Sequence, residues 1–164
     1  MNLDAINALT PAAFVRTFGD IAEHSPWVAE AAAALRSYAS RAAMVDAFQT
    51  VLAQAPRAQQ EALIRLHPDL AGKATLAPDS RMEQAGAGLN TLTAEEMTRF
   101  TDLNTRYKER FGFPFILAVK GATKHQILDA FSNRIHGGRE EEFLTALAQV
   151  MRIIRFRLEE RVDG

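Results

Sequence analysis

Cysteine is absent from this chain, which excludes disulfide bonds, thiolate metal sites and cysteine nucleophiles. No apolar run approaches the roughly 20 residues that a membrane-spanning helix needs, so no membrane span is expected. A surplus of positive charge is also lacking, because 19 Lys and Arg residues face 20 Asp and Glu residues, for a net charge of -1. Nucleic-acid-binding domains usually carry a basic surplus, so nucleic acid is not an expected partner.

The chain also lacks targeting signals and a histidine-based metal motif. Its first residues do not have the basic-then-apolar layout of a signal peptide, and its last residues carry no peroxisomal or ER-retention tripeptide. We therefore expect a cytoplasmic protein. No two histidines lie four positions apart, so a helix-borne zinc pair is absent and no metal site is predicted.

What is present indicates one all-α domain over residues 1–164. Apolar residues make up 48% of the 164 and charged residues 24%, as in an ordinary globular domain. Cap and proline signals predict eight helices, at residues 12–22, 27–36, 41–55, 57–66, 81–87, 94–111, 124–135 and 140–161. Residues 115–119 form one short apolar segment that is extended, and a sheet cannot be built from one such run. We therefore predict a helical domain of eight to nine helices with one extended segment.

The stretch 66–73 contains the first candidate for chemistry, His67. Pro68 disfavours the α conformation at His67 and should end the preceding helix there. Gly72 can take backbone angles that are closed to other residues. A histidine at a helix end has its ring available to a cleft, and its pKa lies nearest to neutral. The alternative is a structural histidine that binds a backbone carbonyl or caps the turn.

The stretch 80–89 contains the second group of candidates. Asp79 or Ser80 is predicted to cap a short helix that carries Glu83 and Gln84 one turn further on. The small residues at 85–88 allow close approach to the backbone. In the alternative interpretation, Ser80 caps the helix and Glu83 completes a capping box.

Two further candidates lie in the second half of the chain. Phe115 and Ile116 belong to an extended run whose N–H groups are available to a ligand oxygen, unless the run is a plain core segment. Arg157 lies at the edge of the apolar stripe of the last helix and needs a charged partner, for which a carboxylate is the best geometric match. The alternatives are an internal pair with a glutamate, or a side chain whose head reaches water.

Three motifs together give the chain a family resemblance. They are His-Pro-Asp-Leu-Ala-Gly at 67–72, Glu-Gln-x-Gly-x-Gly-Leu at 83–89 and Arg-Phe-Gly-Phe-Pro-Phe at 110–115. With residues 23–27, Tyr107, Arg134 and Glu141 or Glu142, they make the sequence similar nearly end to end to the 2-oxo-4-hydroxy-4-carboxy-5-ureidoimidazoline (OHCU) decarboxylases of uric acid degradation. The resemblance implies an all-helical, cofactor-free enzyme that removes CO2 from OHCU to give (S)-allantoin. It also implies a homodimer.

The resemblance implies a role for each candidate. His67 is the catalytic acid or base, and Glu83 beside it orients or polarises the reacting centre. The residues expected to bind the substrate or shape its pocket are Pro68, Ser80, Gln84, Phe115, Ile116 and Arg157. Two alternatives remain: a non-enzymatic helical interaction module that uses an aromatic wall at 111–115, and a related decarboxylase acting on another ureido or imidazoline acid.

Overall fold

The computed structural model describes residues 1–72 and 76–164, so Lys73 of the stretch singled out around His67 lies outside the described residues. Within these ranges the chain forms nine helices and no strand, which confirms the all-α prediction. The helices are α1 (Leu3–Asn7), α2 (Pro11–Phe18), α3 (Trp27–Ala33), α4 (Arg41–Gln54), α5 (Arg57–Arg65), α6 (Pro78–Gly86), α7 (Ala94–Phe111), α8 (Lys124–Arg134) and α9 (Arg139–Arg161). In the described part of the chain, no helix is long and apolar enough to cross a membrane.

Capping boxes start α7 and α8; the sequence predicts the box of Thr93 with Glu96 at α7, and at α8 it predicts Thr123 as the cap. The Thr93 hydroxyl accepts from the Glu96 N–H at 3.1 Å, and the Glu96 carboxylate accepts from the Thr93 N–H at 2.9 Å. Thr123 and Gln126 form the same pair of bonds at α8. Helix α7 ends at Gly112, whose φ of 78° is the left-handed conformation that glycine adopts without strain. These ends are set by residues three positions apart or fewer, which is why the sequence predicts them.

Two N-cap residues differ from the prediction, which placed Ser25 at α3 and Asp79 or Ser80 at α6. Helix α6 begins at Pro78 with Ala77 as its N-cap, so Asp79 and Ser80 lie inside the first turn and neither is the N-cap. The reason is that proline is favoured at the first helical position, because its fixed φ suits a helix and its missing N–H is not needed there. Helix α3 has Pro26 as its N-cap, and the Ser25 hydroxyl instead donates to the Glu23 carbonyl at 2.8 Å.

The chain forms two compact units. Unit 1 comprises Met1–Leu66 and Val150–Gly164, and unit 2 comprises His67–Gln149. In unit 1, α3 packs against α2 and α4, and the Phe14 ring lies 4.9 Å from the Phe18 ring and 6.4 Å from that of Phe48. The single domain over residues 1–164 stays a prediction.

Unit 2 is built around α7, which packs against α8. The fully buried Tyr107 ring lies within 6.0 Å of the rings of Phe111, Phe113, Phe115 and Phe131. Residues 115–119, predicted as a strand or an extended buried segment, form neither helix nor strand. The Phe115 ring is part of this aromatic core, so the segment is fixed by packing rather than by a sheet.

Candidate active site

His67 lies where the structure ends helix α5. The helix stops at Arg65, and the Leu66 N–H closes its last turn by donating to the Ala62 and Leu63 carbonyls, each at 3.2 Å. His67 follows directly and is only 8% exposed, whereas His24, His125 and His136 are exposed. Of the four histidines, His67 alone is therefore a buried group at a helix end. Pro68 beside it is half-buried.

The backbone after His67 is held by the side chain of Gln84 on α6. The Gln84 Oε1 accepts from the Ala71 N–H at 3.0 Å, and its Nε2 donates to the Asp69 carbonyl at 3.3 Å. Gln84 is buried, and both ends of its amide contact the loop that carries His67. Sequence reasoning singled out Gln84 as a substrate-binding residue, and the structure adds this contact with the loop, 13 and 15 positions away in the chain.

Helix α7 holds the same loop from two further residues. The Asn104 Nδ2 donates to the Leu70 carbonyl at 2.9 Å, and the Lys108 Nζ donates to the Asp69 carboxylate at 2.7 Å. Asn104 is buried, whereas Lys108 is exposed. Sequence reasoning assigned no role to either residue. A polar residue on the otherwise apolar stripe of α7 was the available signal for Asn104.

The tight turn in this loop is made by Ala71 rather than by Gly72. Ala71 has a φ of 56°, which is the left-handed region that non-glycine residues rarely adopt. Gly72 does not use its freedom to adopt positive φ in this loop. A Cβ on Gly72 would lie 3.0 Å from the Asp69 Cβ, so glycine fits this position because the loop backbone approaches Asp69 closely.

Helix α6 brings Ser80, Glu83 and Gln84 to one side. Residues three and four positions apart are neighbours on a helix surface, so Glu83 and Gln84 both lie next to Ser80. Ser80 is buried and Glu83 is partly exposed. Because Ala77 is the N-cap of this helix and no side-chain cap is formed, the alternative that Ser80 and Glu83 make a capping box is wrong.

The Phe115–Ile116 backbone is held by Arg134 on α8. The Arg134 Nη1 donates to the Ile116 carbonyl at 2.6 Å, and its guanidinium carbon lies 4.3 Å from the centre of the Phe115 ring. The Arg134 Nε donates to the Glu142 carboxylate at 2.9 Å. Phe115 and Ile116 are buried, and the Ile116 N–H has no acceptor within residues 1–72 and 76–164. The Ile116 carbonyl is thus held by Arg134.

Tyr107 completes this polar cluster. Its hydroxyl donates to the same Glu142 oxygen at 2.6 Å. Burial, together with the hydrogen bond to the Glu142 carboxylate, raises the pKa of the Tyr107 hydroxyl above its ordinary value of 10. Tyr107 therefore stays a neutral donor throughout the physiological range. The resemblance included Tyr107, Arg134 and Glu141 or Glu142, but sequence reasoning did not predict that they meet at Ile116.

Arg157 lies in unit 1, on the C-terminal part of α9. It is 4% exposed, its Nη2 lies 2.9 Å from the carboxylate of Glu23, and Glu23 is 2% exposed. The Arg157 Nη1 donates to the Ile21 carbonyl at 3.1 Å. The alternative of an internal pair with a glutamate is therefore confirmed. Binding of a substrate carboxylate by Arg157 stays a prediction.

The described residues contain no group of three or more His, Cys, Asp or Glu side chains arranged to hold a metal ion. In unit 2 the candidate site residues are the buried His67, the α6 side chains Ser80, Glu83 and Gln84, and the Phe115–Ile116 backbone that Arg134 contacts. A buried guanidinium lies in unit 1.

Comparison with solved structures identifies the class of fold. A crystal structure of (S)-allantoin synthase matches with a TM-score of 0.80 and 31% identity, over 99% of this chain and 55% of that chain. A crystal structure of OHCU decarboxylase in the presence of (S)-allantoin matches with a TM-score of 0.74, over 88% of this chain and 96% of that one. At 19% identity, the second likeness shows a shared fold alone.

Comparison with sequences identifies the family. The family model described as OHCU decarboxylase matches residues 7–159. The OHCU decarboxylase of Haloferax volcanii is 40% identical over all of this chain and 98% of its own length, and that of Xenopus laevis is 35% identical over 96% and 93%. The uric acid degradation bifunctional protein PucL of Bacillus subtilis is 44% identical, but this chain spans only 32% of its length. The chain belongs to the OHCU decarboxylase family, as its motifs predicted.

Proposed function

We propose that this protein is a carboxy-lyase that removes CO2 from OHCU and forms (S)-allantoin in urate degradation. The observation that carries the proposal is the family match over residues 7–159, which includes His67 and every other predicted site residue. Relatives of nearly the same length bear the name of this decarboxylase. The structure supports the proposal by burying His67 at a helix end beside a loop held by two other helices.

The substrate itself makes this reaction accessible to ordinary side chains. When the bond to the carboxylate breaks and CO2 leaves, the electron pair stays on a carbon beside a C=N or C=O group. The pair delocalises into the ring as an anion whose charge lies on oxygen or nitrogen. The protein then has three tasks: holding the carboxylate, stabilising the anion and delivering one proton to one face of the carbon.

His67 delivers the proton in this proposal. An imidazole whose pKa is near neutral can both take and return a proton, and such transfer typically contributes about 100- to 10,000-fold to the rate. Hydrogen bonds hold the backbone after His67 at three consecutive residues, 69–71. The imidazole is therefore held in one place and reaches the substrate from one face. Glu83 orients or polarises the reacting centre. Protonation from one side gives the single enantiomer.

The remaining groups bind the substrate. Arg157 holds a carboxylate, because its planar fork of donors matches two oxygens. The Ile116 N–H, in the extended segment whose Ile116 carbonyl Arg134 holds, stabilises the anionic oxygen. Ser80 binds polar groups of the substrate. Gln84 does so too, since an amide has two N–H donors and two lone pairs and the loop uses one of each.

Replacing His67 tests this function. We expect freshly prepared OHCU and wild-type protein to give the circular dichroism signal of (S)-allantoin, and His67→Asn to give none above the slow racemic background. The variant should keep its helical far-ultraviolet spectrum. The exposed His136→Asn serves as the matched control and should retain full activity.

Two outcomes would contradict the proposal. Normal turnover by His67→Asn would remove His67 from the mechanism. No handed signal from the wild type would favour either an interaction module or a decarboxylase of another ureido acid, which turnover of that acid would reveal. A homodimer, a cytoplasmic location and a cofactor-free reaction stay predictions, and light scattering of the purified protein tests the first.

A further inference from the structure

We infer that Asn104 is a positioning residue that holds His67 in place through the carbonyl of Leu70. The Asn104 Nδ2 donates to that carbonyl at 2.9 Å, three residues after His67. The inference rests on the proposed function, because it concerns the placement of the proposed acid or base. It adds a residue outside the predicted site.

The hydrogen bonding of Asn104 is explained by this contact. The side chain is 5% exposed, and its Oδ1 has no donor among the described residues. Turning the amide over would place its oxygen against the Leu70 carbonyl oxygen, so the bond to Leu70 fixes the observed orientation. A buried amide with an unmet acceptor destabilises a fold relative to an apolar side chain of similar size. The amide at this position is therefore explained by the hydrogen bond that its Nδ2 donates to Leu70, and not by a contribution to the stability of the fold.

The loop geometry transmits this contact to His67. Gln84 holds the Asp69 carbonyl and the Ala71 N–H, and Asn104 holds the carbonyl of the residue between them. Between this held segment and His67 lies only Pro68, whose ring fixes its own φ. Few backbone rotations therefore separate the imidazole from the Asn104 contact. Loss of that contact should shift the ring without unfolding the unit.

The expected effect is on turnover rather than on stability. A misplacement of about 1 Å in a reacting group can lower a rate about 100-fold. We expect Asn104→Leu to lower kcat about ten- to 100-fold, with KM changed less than about threefold, because Asn104 contacts the loop and not the substrate. The pH profile of kcat should shift on the limb that reports His67. The midpoint of urea unfolding should stay close to that of the wild type. The substitution removes the unmet Asn104 Oδ1 and leaves the Leu70 carbonyl unmet in its place.

Hydrogen exchange of the loop amides provides a readout that is independent of activity. In Asn104→Leu the Ala71 N–H, which donates to Gln84, should exchange faster than in the wild type. The control is Thr105→Ala on the exposed side of the same helix, for which kcat and exchange should both stay unchanged. If Asn104→Leu does not fold, Asn104→Ala is measured in the same way.

The inference is overturned if the folded variant keeps wild-type exchange at residues 69–71, or if it keeps wild-type kcat and pH profile. A wild-type protein that does not decarboxylate OHCU contradicts the proposed function instead. The exchange measurement then still decides whether Asn104 holds the loop. A fall in kcat with faster exchange and an unchanged unfolding midpoint supports the inference.

Discussion

Each unit contains an arginine–glutamate pair whose carboxylate is buried, and the two pairs have different surroundings. In unit 1 the Arg157 and Glu23 side chains approach to 2.9 Å, and in unit 2 the Arg134 and Glu142 side chains do the same. Both glutamates are almost fully buried. The pairs are therefore alike in distance and in the burial of the carboxylate, although the Arg157 side chain is 4% exposed and that of Arg134 is 14% exposed.

Their other contacts separate them. Arg134 also donates to the Ile116 carbonyl and stacks on the Phe115 ring, and Glu142 also accepts from Tyr107. This pair is therefore a brace for the backbone that we propose to contact the substrate. Arg157 has Glu23 and the Ile21 carbonyl as contacts in its own unit. The comparison teaches that a buried arginine does not by itself indicate a ligand, since the chain's own carbonyls can fix it.

The largest effect is expected when the unit 2 pair loses its negative charge. Glu142→Gln leaves the Arg134 guanidinium buried with a neutral partner, and breaking a buried pair costs about 3–5 kcal/mol of the free energy of unfolding. Urea unfolding measures the loss. The exposed neighbour Glu141→Gln serves as the control and should change the free energy by less than about 0.5 kcal/mol. Equal unfolding midpoints for the two variants would show that the brace contributes no stability.

A smaller effect, and on substrate binding, is expected from Arg157→Lys in unit 1. Lysine keeps the charge beside Glu23 but lacks the planar fork that matches a carboxylate. A charge-assisted hydrogen bond contributes about 1.5–3 kcal/mol, so KM for OHCU should rise about tenfold or more. Steady-state kinetics followed by circular dichroism measures the change, with the exposed Arg152→Lys on the same helix as control. An unchanged KM would count against Arg157 as the carboxylate group.

The smallest effect is expected from a pair near the surface, Glu96 with Lys124. The hydrogen bond from Lys124 lowers the pKa of the Glu96 carboxyl from 4.5 to about 2. Its stabilisation is therefore present above pH 4.5 and is lost as the pH falls towards about 2. The difference in urea midpoint between wild type and Glu96→Gln should shrink over this range. A difference that is constant with pH would mean that the ion pair does not contribute.

Much of the fold follows from local sequence. The capping box of Thr93 with Glu96 starts α7 as predicted, because both partners belong to one turn of helix. The start of α6 was misjudged, because Pro78 competes with two good capping residues directly after it. The sequence did not indicate that Ala71 is the left-handed residue of the His67 loop. Ala71 adopts that conformation although its backbone intrinsically disfavours it, since the Gln84 amide accepts from its N–H.

The site was only partly visible in the sequence. His67 was found from its place before Pro68, which is local information. The contacts of Asn104 with Leu70 and of Arg134 with Ile116 join residues 34 and 18 positions apart, and no spacing rule covers such pairs. A polar residue on an apolar helix face was visible as an anomaly. Which carbonyl it meets depends on how the helices pack.

The sequence alone determined the all-helical class of this protein, its family and the identity of the proposed acid or base, since caps, periodicity and short motifs are read from neighbouring residues. The tertiary structure decided which buried side chains hold the His67 loop and the Ile116 backbone. It also decided that Arg157 pairs with Glu23. Those outcomes depend on distances between remote residues, and only the packed chain fixes them.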